Sequence, residues 1–581
     1  MCGIFCLLNS NDSTEKDFIA SQFNKCASRG PEYNRLIHES KCNTYLGFHR
    51  LAINGLDEIS HQPITIDDVT IICNGEIYNY KELFKSLKIK PSTNSDCEII
   101  IHLYKQYGID QTLQMLDGVF AFVIYDIRTE DRKIIVARDP YGVRPLFQLH
   151  SITGTIGFGS LLANLSAFKD NAFSLDNAVG CGWGPHITSY NDKSISQFPP
   201  GTYSTYICCG LGSTHPNSFT KIWTPVIKNK CYSTLGFLKM IEYDDEDYNE
   251  KMYLHGIREF LCKAVEKRVL NTDRKVACLL SGGLDSSLMA ALVSKHVDNL
   301  ETYSIGLEGS EDLKYARLVA DFLKTKHTEV VVSEEDFFNA IPRAIKASES
   351  WDTTTIRACV GNFLLGEYIS KHSEAKVIFN GDGSDEVTGG YLYFHKAPDM
   401  YEFDSECRKL LNNIHLFDGL RSDRCISVHG LEPRTPFLDR SWVQYYLSIP
   451  IKYRCHNLKD RPEKYLLRKA FDCGTILPAE VLWRTKEAFS DGVSNLTKSW
   501  YEIIEERVQT ITEFNTYNCV LDHLAPTPIT LEQKYYRYLF ETFYPGCGNV
   551  IPYYWMPKYV DATDSSARTL NIYKEKHQSA P

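Results

Sequence analysis

The chain has 581 residues, 43% of them hydrophobic and 23% charged, a globular balance in a length that divides among two or more cores. Its 63 Lys and Arg against 73 Asp and Glu leave a net charge of −10, which argues against a nucleic-acid or membrane surface. No segment is apolar for long enough to span a bilayer. The opening run MCGIFCLLNS lacks a basic start and reads as a buried strand, not a secretory signal. A cytoplasmic protein is expected. The 19 cysteines are odd in number and form no CxxC pair, so neither a disulfide scaffold nor a zinc frame is indicated.

In chain order, residues 1–190 are β-rich. Apolar strands are predicted at Leu46–Ile53, Val69–Cys73, Val119–Tyr125 and Lys133–Arg138, with a helix over 94–107 opened by Asn94 or Ser95. Residues 191–240 are dense in Ser, Thr, Asn, Pro and Gly and read as a connection. From 241 to 545 the pattern becomes strand, turn, helix, strand: Lys275–Leu280, a Gly-rich turn, a helix at Leu288–His296, then Thr302–Leu307, a helix at Leu313–Leu323, and Thr328–Val332. That alternation predicts a parallel α/β sheet followed by helices. Residues 546–581 read as a tail whose last part frays.

Two places carry chemistry. Loss of Met1 would expose an α-amine beside the Cys2 thiol, and that amine titrates near neutrality and can activate its own nucleophile. Asn74 and Gly75, at the end of a strand, offer an amide and a backbone N–H as oxyanion donors. Arg50 is suited to a substrate carboxylate and Asp96 to a substrate ammonium, so an α-amino acid bearing a side-chain amide fits. The second place is Ser281-Gly282-Gly283-Leu284-Asp285-Ser286-Ser287, where glycines, hydroxyls and a helix N-terminus suit phosphate and Asp285 suits Mg²⁺. Leu280 and Ile305 flank adenine in this reading. A further loop, Asn380-Gly381-Asp382-Gly383-Ser384-Asp385-Glu386, follows the apolar run Lys376–Phe379 and should reach the same sheet edge, with Asp385 a second metal ligand. Lys486 offers a cation for phosphate charge.

With Arg29-Gly30-Pro31, the first set resembles the class II glutamine amidotransferase domain. The second resembles the loop of enzymes that split ATP between its α and β phosphates. Together with Thr353–Ala358, Gly390–Pro398, Arg434–Asp439, Lys486–Gly492 and Tyr554–Lys558, the chain is similar to glutamine-hydrolysing asparagine synthetases of the eukaryotic type. The resemblance implies an α+β N-terminal-nucleophile sandwich, two antiparallel sheets between helices, over 2–190. An α/β parallel-sheet ATP-pyrophosphatase domain with a helical C-terminal part is implied over 241–545. It implies that Cys2 takes ammonia from glutamine, with Leu51, Ala52, Ile53, Asn54 and Glu76 among the glutamine contacts. ATP, with Mg²⁺, then activates aspartate as β-aspartyl-AMP, and ammonia arriving through an internal tunnel gives asparagine, AMP and pyrophosphate. It adds Asn380, Gly381 and Tyr391 to the nucleotide contacts, assigns Thr354, Thr355, Arg357 and Lys486 to aspartate and its adenylate, and leaves a homodimer open.

The family's loop reads Ser-Gly-Glu where this chain has Asn380-Gly381-Asp382. The carboxylate is kept with a reach shorter by about one ångström, a displacement that can cost about 10²-fold in rate. Three readings therefore stand: an active synthetase, a glutaminase-coupled enzyme making a different amide, and a catalytically weak or regulatory relative.

Overall fold

The computed structural model describes residues 1–10, 14–169, 194–210, 221–236, 239–459, 461–494, 498–514 and 525–578. They form two compact units, the first comprising Met1–Ser233 with Tyr544–Pro552, the second chiefly Thr234–Cys519 with Thr527–Phe543 and Tyr553–Pro581.

In the first unit the strands are β1 (Gly3–Leu8), β2 (Tyr33–Glu39), β3 (Thr44–Arg50), β4 (Ile64–Ile66), β5 (Val69–Ile77) and β6 (Gly118–Asp126). They continue with β7 (Arg132–Arg138), β8 (Phe147–His150), β9 (Ile156–Gly159), β10 (Ile195–Gln197), β11 (Thr202–Gly210) and β12 (Lys221–Cys231). One sheet runs β10-β8-β9-β1-β3-β2 and the other β12-β11-β7-β6-β5-β4, with antiparallel neighbours throughout. Side chains alternate across each strand. Ile4, Cys6 and Leu8 of β1 therefore share an apolar layer with Ile72 of β5, Ala121 and Val123 of β6 and Val136 of β7. On the outer face of the second sheet, Ile71, Cys73 and Phe122 pack with Ile99, Ile100 and Leu103 of the helix Glu98–Met115. The helix Lys16–Asn24 covers the first sheet, with Phe23 against Phe5 at 6.2 Å. This is the expected sandwich of two antiparallel sheets between helices.

The stretch expected as a connection instead carries β10, β11 and β12, and β11 joins β7 to β12 inside the second sheet. Its Ser and Thr read as turn formers, yet Tyr203, Tyr206, Cys208 and Trp223 are buried, and a strand needs only one such face. Residues 191–193, 211–220 and 237–238 of that stretch lie outside the described residues.

The second unit opens with the helix Glu246–Leu270 and holds a parallel sheet of β13 (Val276–Leu279), β14 (Glu301–Leu307), β15 (Lys326–Val332), β16 (Val377–Phe379) and β17 (Glu432–Arg434). Its order is β15-β14-β13-β16-β17, and every pairing is parallel. Connections from strand to strand run through helices, including Leu284–Val293, Glu311–Leu323 and Thr353–His372. The first of these starts inside the Gly-rich turn, earlier than its apolar run predicts. The expected fraying is also corrected over the described part of the tail, since Leu570, Ile572 and Tyr573 are buried with Leu392, and a helix spans Asn571–Gln578. Ion pairs described below complete that anchorage, and they come from residues far away in sequence. No helix among the described residues is long and apolar enough to cross a membrane.

Candidate active sites

In the first unit, strand alternation aims two groups into the layer between the sheets. Cys2 precedes β1 on the parity of Ile4 and packs against that layer, and Asn74 shares the parity of Ile72 on β5. The Cys2 thiol donates to the Leu51 carbonyl at 3.6 Å, and Arg29 Nε holds the Cys2 carbonyl at 3.0 Å. Gly3 is required here because a Cβ would meet Cys26 Cβ at 2.8 Å. Asn74 is 1% exposed, yet neither Nδ2 nor Oδ1 has a hydrogen-bond partner. Such an orphaned amide is costly unless something else completes it.

The residues expected to contact glutamine are held by hydrogen bonds within the protein. Asn54 Nδ2 donates to Glu76 at 2.6 Å, the Ile77 N–H donates to Asp96 at 2.6 Å, and the Ala52 N–H donates to Glu32 at 2.7 Å. Ile53 is buried in the same loop, and Gly75 lies against Val119 and Phe120. Arg50 makes its multi-pronged contact with protein groups. It donates to the carbonyls of Asp57 (2.9 Å), Asn54 (3.3 Å) and Gly55, and lies 2.6 Å from His61 Nδ1. Met1 is itself buried.

In the second unit a cavity opens at the C-terminal ends of β13, β14 and β16, the edge where parallel sheets bind ligands. Leu280, Ser281, Gly283, Asp285 and Ser286 line it, with Ile305, Thr354, Asn380, Gly381, Asp382, Asp385, Tyr391 and Lys486. Gly282, Ser287, Thr355 and Arg357 do not. Gly282 shapes the turn, with φ +71° and no room for a Cβ beside Tyr315, and Ser287 is fully buried. Thr355 Oγ1 donates to Asp352 at 2.8 Å at a helix start. Arg357 is clamped between Glu532 and Asp564, donating to both oxygens of Asp564 at 2.7 Å. Thr354 Oγ1, in contrast, is buried and unpartnered at the cavity.

Lys464 was not foreseen. Its Nζ lies 2.6 Å from Asp285 Oδ2 and 2.7 Å from Asp385 Oδ1. Lys486 adds a contact of 2.7 Å to Asp385 and one of 3.8 Å to Asp285. Burial alone would raise the Asp385 carboxyl, but the two lysines outweigh it and hold it below the usual carboxylate range. Lys486 is correspondingly lifted, burial opposing and the two aspartates prevailing. Both lysines thus reach both carboxylates, and Asp285 Oδ1 is buried without a hydrogen-bond partner. These donors fit a divalent cation that takes its remaining ligands from phosphates and water.

Arg421 and Asp418 were also not foreseen. Arg421 Nη2 reaches Asp382 Oδ1 at 2.9 Å and Nη1 pairs with Asp418. Burial raises the Asp382 carboxyl, Arg421 draws it part of the way back, and its Oδ2 has no partner. Asn380 is explained by a bond of 2.7 Å from Nδ2 to Ser422 Oγ. Tyr391 donates to Glu386 at 2.7 Å and Asp418 at 2.9 Å.

Two family models match the chain, "Glutamine amidotransferase domain" over residues 1–209 and "Asparagine synthase" over 256–406 and 400–513. The asparagine synthetase [glutamine-hydrolyzing] of Gallus gallus is 39% identical over 593 residues, covering 100% of both chains. The Homo sapiens protein of the same description is 38% identical over 588 residues, covering 99% of each. With both domains matched in order and the relatives aligned end to end, the chain belongs to the glutamine-hydrolysing asparagine synthetase family.

Proposed function

We propose that the chain makes L-asparagine from L-aspartate, using ATP and ammonia taken from L-glutamine. The observation that carries this reading is the cavity in the second unit. There Ser281, Gly283 and Ser286 of the Gly-rich turn, Thr354, Asp382 and the two lysine-bridged aspartates Asp285 and Asp385 face one space.

At the first site, after loss of Met1, the free amine of Cys2 takes the thiol proton and Sγ attacks the glutamine carboxamide carbon. Asn74 Nδ2 and the Gly75 N–H receive the developing oxyanion, a role supported by the unpartnered Asn74 amide. The C–N bond breaks, ammonia leaves, and water hydrolyses the thioester to glutamate. Arg50 exchanges carbonyl contacts for the substrate carboxylate, and Asp96 meets its ammonium.

At the second site the aspartate side-chain carboxylate attacks the α-phosphorus of ATP, and pyrophosphate departs toward Lys464 and Lys486. Asp285 and Asp385 would hold Mg²⁺, which neutralises phosphate charge when bound. Ammonia then attacks the acyl carbon, the C–O bond to AMP breaks, and Asp382 accepts a proton. Its raised affinity for protons suits that task.

The test is to incubate the protein with aspartate, Mg²⁺-ATP and either glutamine or ammonium. Asparagine, AMP and pyrophosphate are expected in equal amounts with both nitrogen sources. Glutamate release without asparagine would overturn the reading.

A further inference from the structure

Lys486 belongs to a stretch, Arg484–Gly492, whose only regular structure is the short helix Phe489–Gly492. Most of this stretch faces the cavity, so its position must be set by contacts made elsewhere. On one side the Lys486 N–H donates to Glu463 Oε1 at 2.8 Å. On the other, the stretch is held by a segment near the C-terminal end of the chain. Arg568 donates to Glu487 Oε1 through Nε at 2.9 Å and Nη2 at 2.5 Å, and Tyr573 O–H adds a bond of 3.1 Å to the same oxygen. Asp491, at the far end of the stretch, accepts from Ser566 Oγ at 2.6 Å and from the Ala567 N–H at 3.2 Å.

The segment is in turn fastened to the body of the unit. Asp564 is bound to Arg357, and Leu570, Ile572 and Tyr573 are buried around Leu392, beside the cavity residue Tyr391. The charges close locally. Arg484 bridges Asp312 and Glu487 at 3.2 Å each, and Arg568 is a second cation on Glu487, whose side chain is nearly enclosed. Without it Glu487 would stay buried and under-neutralised next to Lys486. That would both loosen the stretch and weaken the positive field meeting phosphate.

We propose that Asp564–Tyr573 is a positioning strap for the phosphate-facing stretch Arg484–Gly492, with Arg568 its principal contact. The inference rests on the reading of Lys486 as a cation for phosphate charge. Arg568 touches no substrate; it acts through Glu487.

The test uses the full chain with Arg568→Gln, Arg568→Lys and Tyr573→Phe. Pyrophosphate release with aspartate, Mg²⁺-ATP and ammonium is measured beside glutamate release from glutamine without ATP. Arg568→Gln should lose about ten- to a hundredfold in kcat for pyrophosphate, the scale on which catalytic groups respond to misplacement, and keep glutamate release. Arg568→Lys should recover part of that loss, since it restores the charge without the two-pronged grip. Hydrogen exchange should quicken over 484–492 in Arg568→Gln. A folded Arg568→Gln protein with unchanged kcat and unchanged exchange would overturn the strap. If that variant fails to fold, Tyr573→Phe carries the test: a several-fold kcat loss with faster exchange at 484–492 supports the strap, and neither change overturns it. If the parent protein releases no pyrophosphate, the functional reading has failed, and the exchange result alone still decides the strap.

Discussion

Asn74→Ala separates catalysis from stability more cleanly than any other change at the first site. In the free protein the amide is 1% exposed and both its polar atoms lack partners. A buried polar group left unsatisfied costs about 1–3 kcal/mol, so truncation returns that amount against the packing of one small side chain. The melting temperature should hold or rise. Turnover should behave oppositely, because removing one oxyanion donor costs about 10²- to 10³-fold in kcat, or about 2.7–4 kcal/mol of barrier. The oxyanion exists only on the way to the thioester, so KM for glutamine should change little while kcat falls. Glutamate release over a range of glutamine concentrations gives both constants, and calorimetry gives the melting temperature. Full turnover in a folded Asn74→Ala protein would refute the oxyanion role. A large fall in melting temperature would show that the amide has a partner in solution.

Three further outcomes are expected. Cys2→Ala should abolish glutamine-dependent asparagine synthesis and leave ammonium-dependent synthesis intact; loss of both would break the division of labour between the two sites. Asp382→Glu should leave ammonium-dependent activity equal or higher, since Asp382 lines the cavity and its Oδ2 has no hydrogen-bond partner to lose; a clear loss would show a pocket built around the shorter side chain. Burial pushes the Asp312 carboxyl up to about 7, Arg484 opposing, so the folded state holds a proton that the unfolded chain releases near pH 4. Stability from this group is therefore lost as pH rises from about 4 to about 7, and Asp312→Asn should raise the melting temperature more at pH 8 than at pH 5. Equal gains at both pH values would contradict that assignment.

The parts of the fold legible in sequence are those written in short local patterns. β5 and β6 announce themselves by β-branched and aromatic runs, and Cys2, Asn74 and the Ser281–Ser287 turn by motifs a few residues long. What stayed hidden depends on distant partners. Asp418 and Arg421 belong to no short motif, and nothing around Lys464 marks it as a cation between Asp285 and Asp385. Arg357 sits in the motif expected to meet aspartate, but its guanidinium is taken by Glu532 and Asp564 from much later in the chain. The tail looked too polar to pack, because a few apolar anchors count for little in composition when ion pairs such as Arg568–Glu487 complete the docking.

The most direct test of the two-stage chemistry uses a doubly labelled reaction, with ¹⁵N in the glutamine amide and ¹⁸O in the aspartate side-chain carboxylate. Attack of that carboxylate on the α-phosphorus, followed by breakage of the acyl C–O bond, leaves one ¹⁸O on AMP and one on the asparagine amide. Mass spectrometry should therefore find ¹⁵N-asparagine and singly ¹⁸O-labelled AMP in equal amounts, with unlabelled pyrophosphate. Unlabelled AMP, or glutamate accumulating with no ¹⁵N-asparagine, would contradict the account.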